Sequence, residues 1–154
     1  MIKIVAPGKI KDKHLLALIE DYQKRINRYA KLEVIEVKDE TITDNDSSDN
    51  IKHKEALRIL DKINPQDFVI VLDLKGEMID SVSFAKRIDN YMAMGKNIVF
   101  VIGGSLGLHE TVIARANASL KLSPMTFLHQ MTRLILLEQI YRGFKILNNE
   151  TYHK

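Results

Sequence analysis

The sequence predicts an α/β domain built on a parallel-type sheet with helices on both faces, and three observations predict it. Residues 68–72 and 98–102 are strand-sized runs without a polar residue, the pattern of strands covered on both sides. Segments with helical periodicity alternate with these runs, as repeated β-α units require. The 154 residues contain no linker, internal repeat or low-complexity stretch, and that length suits one domain with a sizeable core. Residues 1–154 are therefore read as a single domain.

Residues 2–6 read as a first strand, closed by Pro7-Gly8. From His14 onward, Leu15, Leu18, Ile19, Tyr22, Ile26 and Tyr29 recur at helical spacing and make one apolar face. Residues 32–37 alternate apolar and charged positions, as a half-exposed strand does. Residues 39–50 are rich in Asp, Asn and Ser, with Ile42 isolated among them, and read as a loop. A helix is expected over 51–63, stopped by Asn64-Pro65. The strand over 68–73 follows. Ser81 or Ser83 can cap a helix that runs to about Met94, with Gly95 as its stop. Residues 97–102 form the next buried strand, 108–116 a helix and 119–122 a short strand. A last helix over 128–147 gathers Met131, Leu134, Ile135, Glu138, Tyr141 and Leu147.

Cysteine is absent, which removes thiol catalysis, disulfides and Cys-based metal sites together. No two histidines stand at metal-ligand spacing on one helix face, so no metal is inferred. No secretory signal or membrane-spanning stretch is read in the chain, and a cytoplasmic location is the expectation. The net charge of +3 is unevenly spread. Residues 1–32 carry eight Lys/Arg against three acids, 33–62 five against nine, and 105–154 six against three. Basic segments at both ends suit an anionic partner such as RNA, although solvated helix faces also carry charge.

The most informative stretch is the apolar strand that ends in Gly103-Gly-Ser-Leu-Gly107. In open α/β sheets ligands sit beyond the carboxyl ends of the strands, and paired glycines admit close backbone approach. The turn matches G-x-S-x-G, the hydrolase nucleophile elbow. That reading needs an acid and a later histidine: Glu110, Glu138 or Glu150, then His129 or His153. A phosphate loop is disfavoured, because the turn lacks the lysine of the G-x-x-x-x-G-K-[ST] pattern. Two more strand ends carry unusual residues, Leu72-Asp-Leu-Lys-Gly76 and residues 122–127. All three loops should open on one edge of the sheet, with apolar walls, many backbone polar groups and few charges. That environment suits a neutral or zwitterionic heterocyclic ligand.

Val-Leu-Asp-Leu-Lys-Gly (71–76), Phe-Val-Ile-Gly-Gly-Ser-Leu-Gly-Leu (100–108), Leu-Ser-Pro-Met-Thr-Phe-Leu-His-Gln-Met (122–131) and the ending Tyr152-His153-Lys154 together resemble the RlmH family. These are ribosomal large-subunit RNA pseudouridine methyltransferases of the SPOUT class. The resemblance covers essentially the whole chain. It implies an α/β domain with a carboxyl-terminal trefoil knot, a topology that ordinary connection rules would exclude. It further implies S-adenosylmethionine bound in a bent conformation by Leu72, Gly103, Leu122, Ser123, Pro124, Met125, Thr126 and Phe127. The implied product is N3-methylpseudouridine in 23S rRNA, on the assembled ribosome, made by a homodimer without a separate RNA-binding domain. Pro7 departs from the family pattern in the first loop.

Methyl transfer from a sulfonium is an in-line displacement, in which the protein aligns the reactants and manages one proton. His153 is a candidate base, since imidazole titrates near neutrality; a frayed tail is the bland alternative. Tyr152 can stack on the target base or pack on the last helix. Arg142 and Lys154 can meet phosphate or steady an anion. His129 is expected to make a structural hydrogen bond. Three classes of function stand at this point: an RNA methyltransferase, a small serine hydrolase built on Ser105, and a non-catalytic RNA-binding module.

Overall fold

The computed structural model describes residues 1–154. Five strands and five helices alternate: β1 (Ile2–Pro7), α1 (Lys13–Ile26), β2 (Leu32–Val37), α2 (Ser48–Leu60), β3 (Phe68–Glu77), α3 (Ser81–Ala93), β4 (Ile98–Ile102), α4 (Glu110–Arg115), β5 (Ala118–Leu120) and α5 (His129–Leu147). The strands form one sheet in the order β2-β1-β4-β3-β5, and every pairing in it is parallel. Each connection therefore returns the chain to the same edge, and all the strand-end loops share the opposite one.

Alternation along the strands sorts the core into two layers. Ile2, Ile4, Ile70, Ile98 and Phe100 point to one face and join Ile19, Ile26, Phe84, Ile88, Leu136, Leu137 and Ile140 of α1, α3 and α5. Val5, Val69, Val71, Val99 and Val101 point to the other and join Ala56, Ile59 and Val112 of α2 and α4. The central strands are thus apolar on both sides because both sides are covered. Asp12, Ser47 and Asp80 accept amides at the starts of α1, α2 and α3, satisfying donors that a helix leaves free. Gly95 closes α3 with a φ of 67°, which a glycine adopts without strain.

Several boundaries differ from expectation, Asp80 and not Ser81 or Ser83 caps α3, and two of the shifted ends have a plain physical reason. The helix α2 begins at Ser48, not at residue 51, because Ser47 caps it ahead of its first apolar residue. The strand β3 runs on to Glu77, past residue 73. Its extension is made by a second, shifted pairing of Glu77 with Leu120 across a bulge, which no local pattern announces. Pro7 ends β1, two residues beyond the last β1–β4 pair, Val5 with Val101. The missing N–H of a proline costs no ladder bond on the β4 side there.

The polar centre of the fold is Arg133, on the first turns of α5 and 1% exposed. Its guanidinium donates to Glu36 Oε2 of β2 at 2.7 Å and to the carbonyls of Pro7 and Gly8 at 3.4 and 3.1 Å. Its Nε is buried without a partner. The bonds pin the start of α5 over the carboxyl ends of β1 and β2, whereas β5, from which the chain has just come, forms the far edge of the sheet. Residues 121–128 must therefore cross the carboxyl ends of β3 and β4, a span of about 14 Å at roughly 4.8 Å per strand. Removing one member of a buried ion pair typically costs 3–5 kcal/mol. Glu36→Gln, which leaves the guanidinium buried and uncompensated, should lower stability by about 3 kcal/mol, read from urea midpoints. Arg133→Met, which leaves only the charge of the solvent-exposed Glu36 unpaired, should cost less.

Candidate active site

The crossing segment brings together the three strand ends singled out in the sequence. Leu72 lies half-buried in β3, Gly103 follows β4 directly, and Leu122 and Ser123 are half-buried after β5. Pro124, Met125, Thr126 and Phe127 are exposed, Met125 at 76%. The segment is anchored where it leaves β5: Lys121 donates its amide to the Glu77 carbonyl at 2.9 Å. A Cβ on Gly76 would lie 2.4 Å from the Leu120 carbonyl carbon, so only glycine lets the two backbones pass. At the other end Ser123 Oγ accepts the Met125 amide at 3.0 Å. Exposed Leu74, Met125, Phe127 and Leu128 add apolar surface to a rim of backbone groups. Backbone groups and apolar side chains thus dominate this edge, with Asp73, Lys75 and Lys121 among its charged residues.

The paired glycines of the turn have a different reason from the one the sequence suggests. Neither Gly103 nor Gly104 has a positive φ; Gly107 does, at 86°. A Cβ on Gly103 would fall 2.7 Å from the Gly107 carbonyl carbon, and one on Gly104 would fall 2.8 Å from Glu55 Oε1. The glycines allow the turn to close on itself and on α2. The hydrolase reading fails on the same geometry. Ser105 sits in a reverse turn closed by Gly107 N to Gly104 O at 3.0 Å, its φ is not positive, and α4 starts only at Glu110. A nucleophile elbow needs a strained strand-to-helix junction at the serine.

His129 lacks the structural hydrogen bond expected for it. Its ring instead lines a small cavity with Pro7, Asp39, Glu40, Glu55 and Ser105. Burial, with the charge of Arg133, holds it below the ordinary histidine range. Across the cavity Glu55, 5% exposed, accepts the Glu40 amide at 3.1 Å. Burial pushes its carboxyl above the ordinary carboxylate range, against the pull of that amide.

The carboxyl-terminal tail turns back onto α5. Asn149, with a φ of 53°, reverses the chain after the helix. Tyr152 then packs edge-on against Tyr141 at 4.9 Å between centroids and takes the Arg142 guanidinium over its ring at 4.8 Å. Its hydroxyl lies 3.1 Å from Glu138 Oε1, to which it donates, and 3.2 Å from the Tyr22 hydroxyl of α1. Burial, followed by the Tyr22 hydrogen bond and the Glu138 charge, pushes that hydroxyl above the ordinary tyrosine range. The ring is thus engaged within the protein, not free for stacking. His153 stays exposed, with Nδ1 3.3 Å from Arg142 Nη1. Arg142 is in turn paired with Glu138 one helical turn earlier. Lys154 is exposed and takes part in no ion pair. The cluster borders the loop after β3: Gln139 accepts from Ser81 Oγ at 2.7 Å, and His153 is among the charges that bear on Asp80, whose pKa the Ser83 amide chiefly lowers.

A family model described as "Predicted SPOUT methyltransferase" matches residues 1–153. The chain belongs to the SPOUT methyltransferase family. Among its relatives, the protein named ribosomal RNA large subunit methyltransferase H of Clostridium kluyveri is 52% identical over 157 residues, covering 99% of each chain. The one of the same name from Clostridium beijerinckii is 51% identical at the same coverage. Among solved structures, a probable methylase family protein from Haemophilus influenzae gives a TM-score of 0.56 at 14% identity, covering 99% of this chain and 70% of that one. A tRNA methyltransferase from Aquifex aeolicus gives 0.54 at 11% identity, covering 92% and 69%. At these identities the two structures speak to the fold alone.

In this SPOUT methyltransferase the tail cluster adds Tyr22 to the candidates read from sequence, and it gives Glu138, read there as a possible hydrolase acid, a different place. Glu138 stands four residues before Arg142, a helical ion-pair spacing that a search for partners of Arg142 finds. Tyr22 is 130 residues from Tyr152, and no local signal joins them. The Glu55 carboxyl gives the first test of the site's architecture. A folded-state pKa above the unfolded value means that protonation favours the fold, a contribution present at acid pH and lost as the pH rises through the raised value. Glu55→Gln should abolish that dependence. In urea midpoints followed upward from pH 4.5, the ordinary carboxylate value, the variant should gain on the wild type as the pH rises.

Proposed function

We propose that residues 1–154 form a single SPOUT-type domain that methylates N3 of a pseudouridine in 23S ribosomal RNA, on the assembled ribosome, with S-adenosylmethionine as donor. The observation that carries this reading is the meeting of the loops after β3 and β4 with the crossing segment 121–128. Full-length identity of 52% to a protein named for ribosomal RNA large-subunit methylation supports the substrate class. We assign the cofactor to Leu72, Gly103, Leu122, Ser123, Pro124, Met125, Thr126 and Phe127. A carboxyl-terminal trefoil knot is part of the proposal. No helix is long and apolar enough to cross a membrane, and a cytoplasmic site of action is part of the proposal through its ribosomal substrate. A homodimer is part of the proposal, with exposed Met125, Leu128 and Met131 as apolar surface that a second copy would cover.

Bound in these loops, S-adenosylmethionine supplies a methyl group already activated on its sulfonium. The chain's own residues then have two tasks, to hold the acceptor in line at about 3 Å and to take the N3 proton. His153 accepts that proton. Arg142, 3.3 Å from its ring, stabilises the anion that N3 becomes before the new N–C bond is complete. Glu138 fixes Arg142. Tyr152, engaged through its ring and its hydroxyl, is a positioning residue that sets His153 in place.

Calorimetry and methylation of ribosomes from a strain lacking this gene, with the modified nucleotide mapped by mass spectrometry, test the proposal. Leu122→Ala and Phe127→Ala should each weaken S-adenosylmethionine binding about tenfold, the scale of one lost apolar contact, with the fold intact by circular dichroism. Unaltered affinity in both would remove the crossing segment from the cofactor site.

The tail gives a separate prediction. Deleting residues 152–154 should leave cofactor affinity within a few-fold of wild type and cut methyl transfer by ~10², the lower end of general-base effects. Tyr152→Ala should approach that loss, and Tyr152→Phe, which keeps the ring, should lose much less. The defect of His153→Ala should shrink at high pH, where N3 ionises unaided.

A further inference from the structure

From the loop after β1 into the first turn of α1 the chain displays Lys9, Lys11, Lys13 and His14, all exposed, around the buried Ile10. None of the three lysines belongs to an ion pair, although ten such pairs form elsewhere in the chain. Most acids nearby are already engaged. Glu36 holds Arg133 and the Ile10 amide, Asp12 accepts the His14 and Leu15 amides, Glu40 pairs with Arg58, and Asp46 pairs with Lys54. Asp39 lies beside Gly8 and forms no ion pair with any of the three lysines.

The same loop is anchored at closely spaced points. Arg133 holds the carbonyls of Pro7 and Gly8, Glu36 holds the Ile10 amide at 3.2 Å, and Asp12 caps α1. Lysines that served solubility alone would need no such fixing. The loop leaves the carboxyl end of β1, the strand beside β4, so it flanks the turn 103–107 on the side away from β3. We propose that residues 9–14 are a preformed docking surface for the phosphate backbone of the RNA substrate, next to the site where the base is methylated. The proposal rests on the reading of the chain as an RNA methyltransferase. Phosphate contacts of this kind supply affinity and register, not sequence choice, and a preorganised loop loses little entropy on binding.

The test compares Lys9→Ala/Lys11→Ala/Lys13→Ala with a charge-matched control, Lys31→Ala/Lys62→Ala/Lys96→Ala, whose exposed lysines precede β2, β3 and β4 at the opposite edge. Ribosome binding by cosedimentation and the KM for ribosomes are followed against salt, with cofactor affinity by calorimetry as the check on folding. The loop variant should weaken ribosome binding and raise KM by about tenfold or more. The slope of log affinity against log salt should fall by about 2, for three contacts at roughly 0.7 per single-strand phosphate. The triple Lys→Arg variant should restore both. Equal losses in the control would reduce the effect to net charge and overturn the proposal, as would an unaltered salt slope in the loop variant. A wild-type protein that binds ribosomes through this loop but transfers no methyl group would overturn the methyltransferase reading and leave the docking surface standing.

Discussion

A single guanidinium organises the functional edge of this molecule. Placing Arg133 in the interior carries a large desolvation cost, which is offset only when its donors find acceptors. Here the acceptors are the Glu36 carboxylate and the carbonyls of Pro7 and Gly8, which belong to two strands and the loop that leaves one of them. These partners dictate where α5 begins. The start of α5 then dictates that the preceding residues cross the ends of β3 and β4, and the body of α5 carries Glu138, Arg142 and the returning tail. The proposed cofactor loops, the proposed base and the basic loop are all referred to one buried charge.

The two halves of the proposed chemistry are built differently. The cofactor side is made of backbone: a turn whose glycines let it close on itself and on Glu55, and a crossing whose Gly76 lets Leu120 pass. The proton-transfer side is made of side chains on a helix, with Tyr152 gripped by Tyr22, Glu138, Tyr141 and Arg142. Such a grip leaves His153 exposed yet placed, as a base for an incoming nucleotide must be. In the proposed reaction Tyr152 acts through its neighbour.

Patterns of short range were legible in the sequence. The strand β2 occupies residues 32–37 as read, the apolar runs are β3 and β4, Gly95 ends α3, and the three strand-end loops do share one edge. What escaped the sequence depends on partners far along the chain. The extension of β3 to Glu77 needs Leu120, the narrowness at Gly104 needs Glu55, and the burial of Tyr152 needs Tyr22. Arg133 reads locally as an ordinary helix-surface cation, and only the path of the chain after β5 turns it inward. His129 was expected to be tied by a hydrogen bond, but the cavity beside it leaves room between its ring and the acids.

The sheet's two boundary strands have a consequence for self-association. An open strand edge is a template for pairing with another chain, and proteins blunt it by shortness, bulges and charge. At one boundary β5 is three residues long, and its pairing with β3 is broken by a register shift. At the other, β2 carries exposed Glu33 and Glu36 among its six residues. Neither boundary invites a continuous intermolecular sheet. Two copies of this chain are therefore steered to meet through helices and loops, where contacts can be specific and can dissociate, and not through backbone ladders that would propagate into fibres.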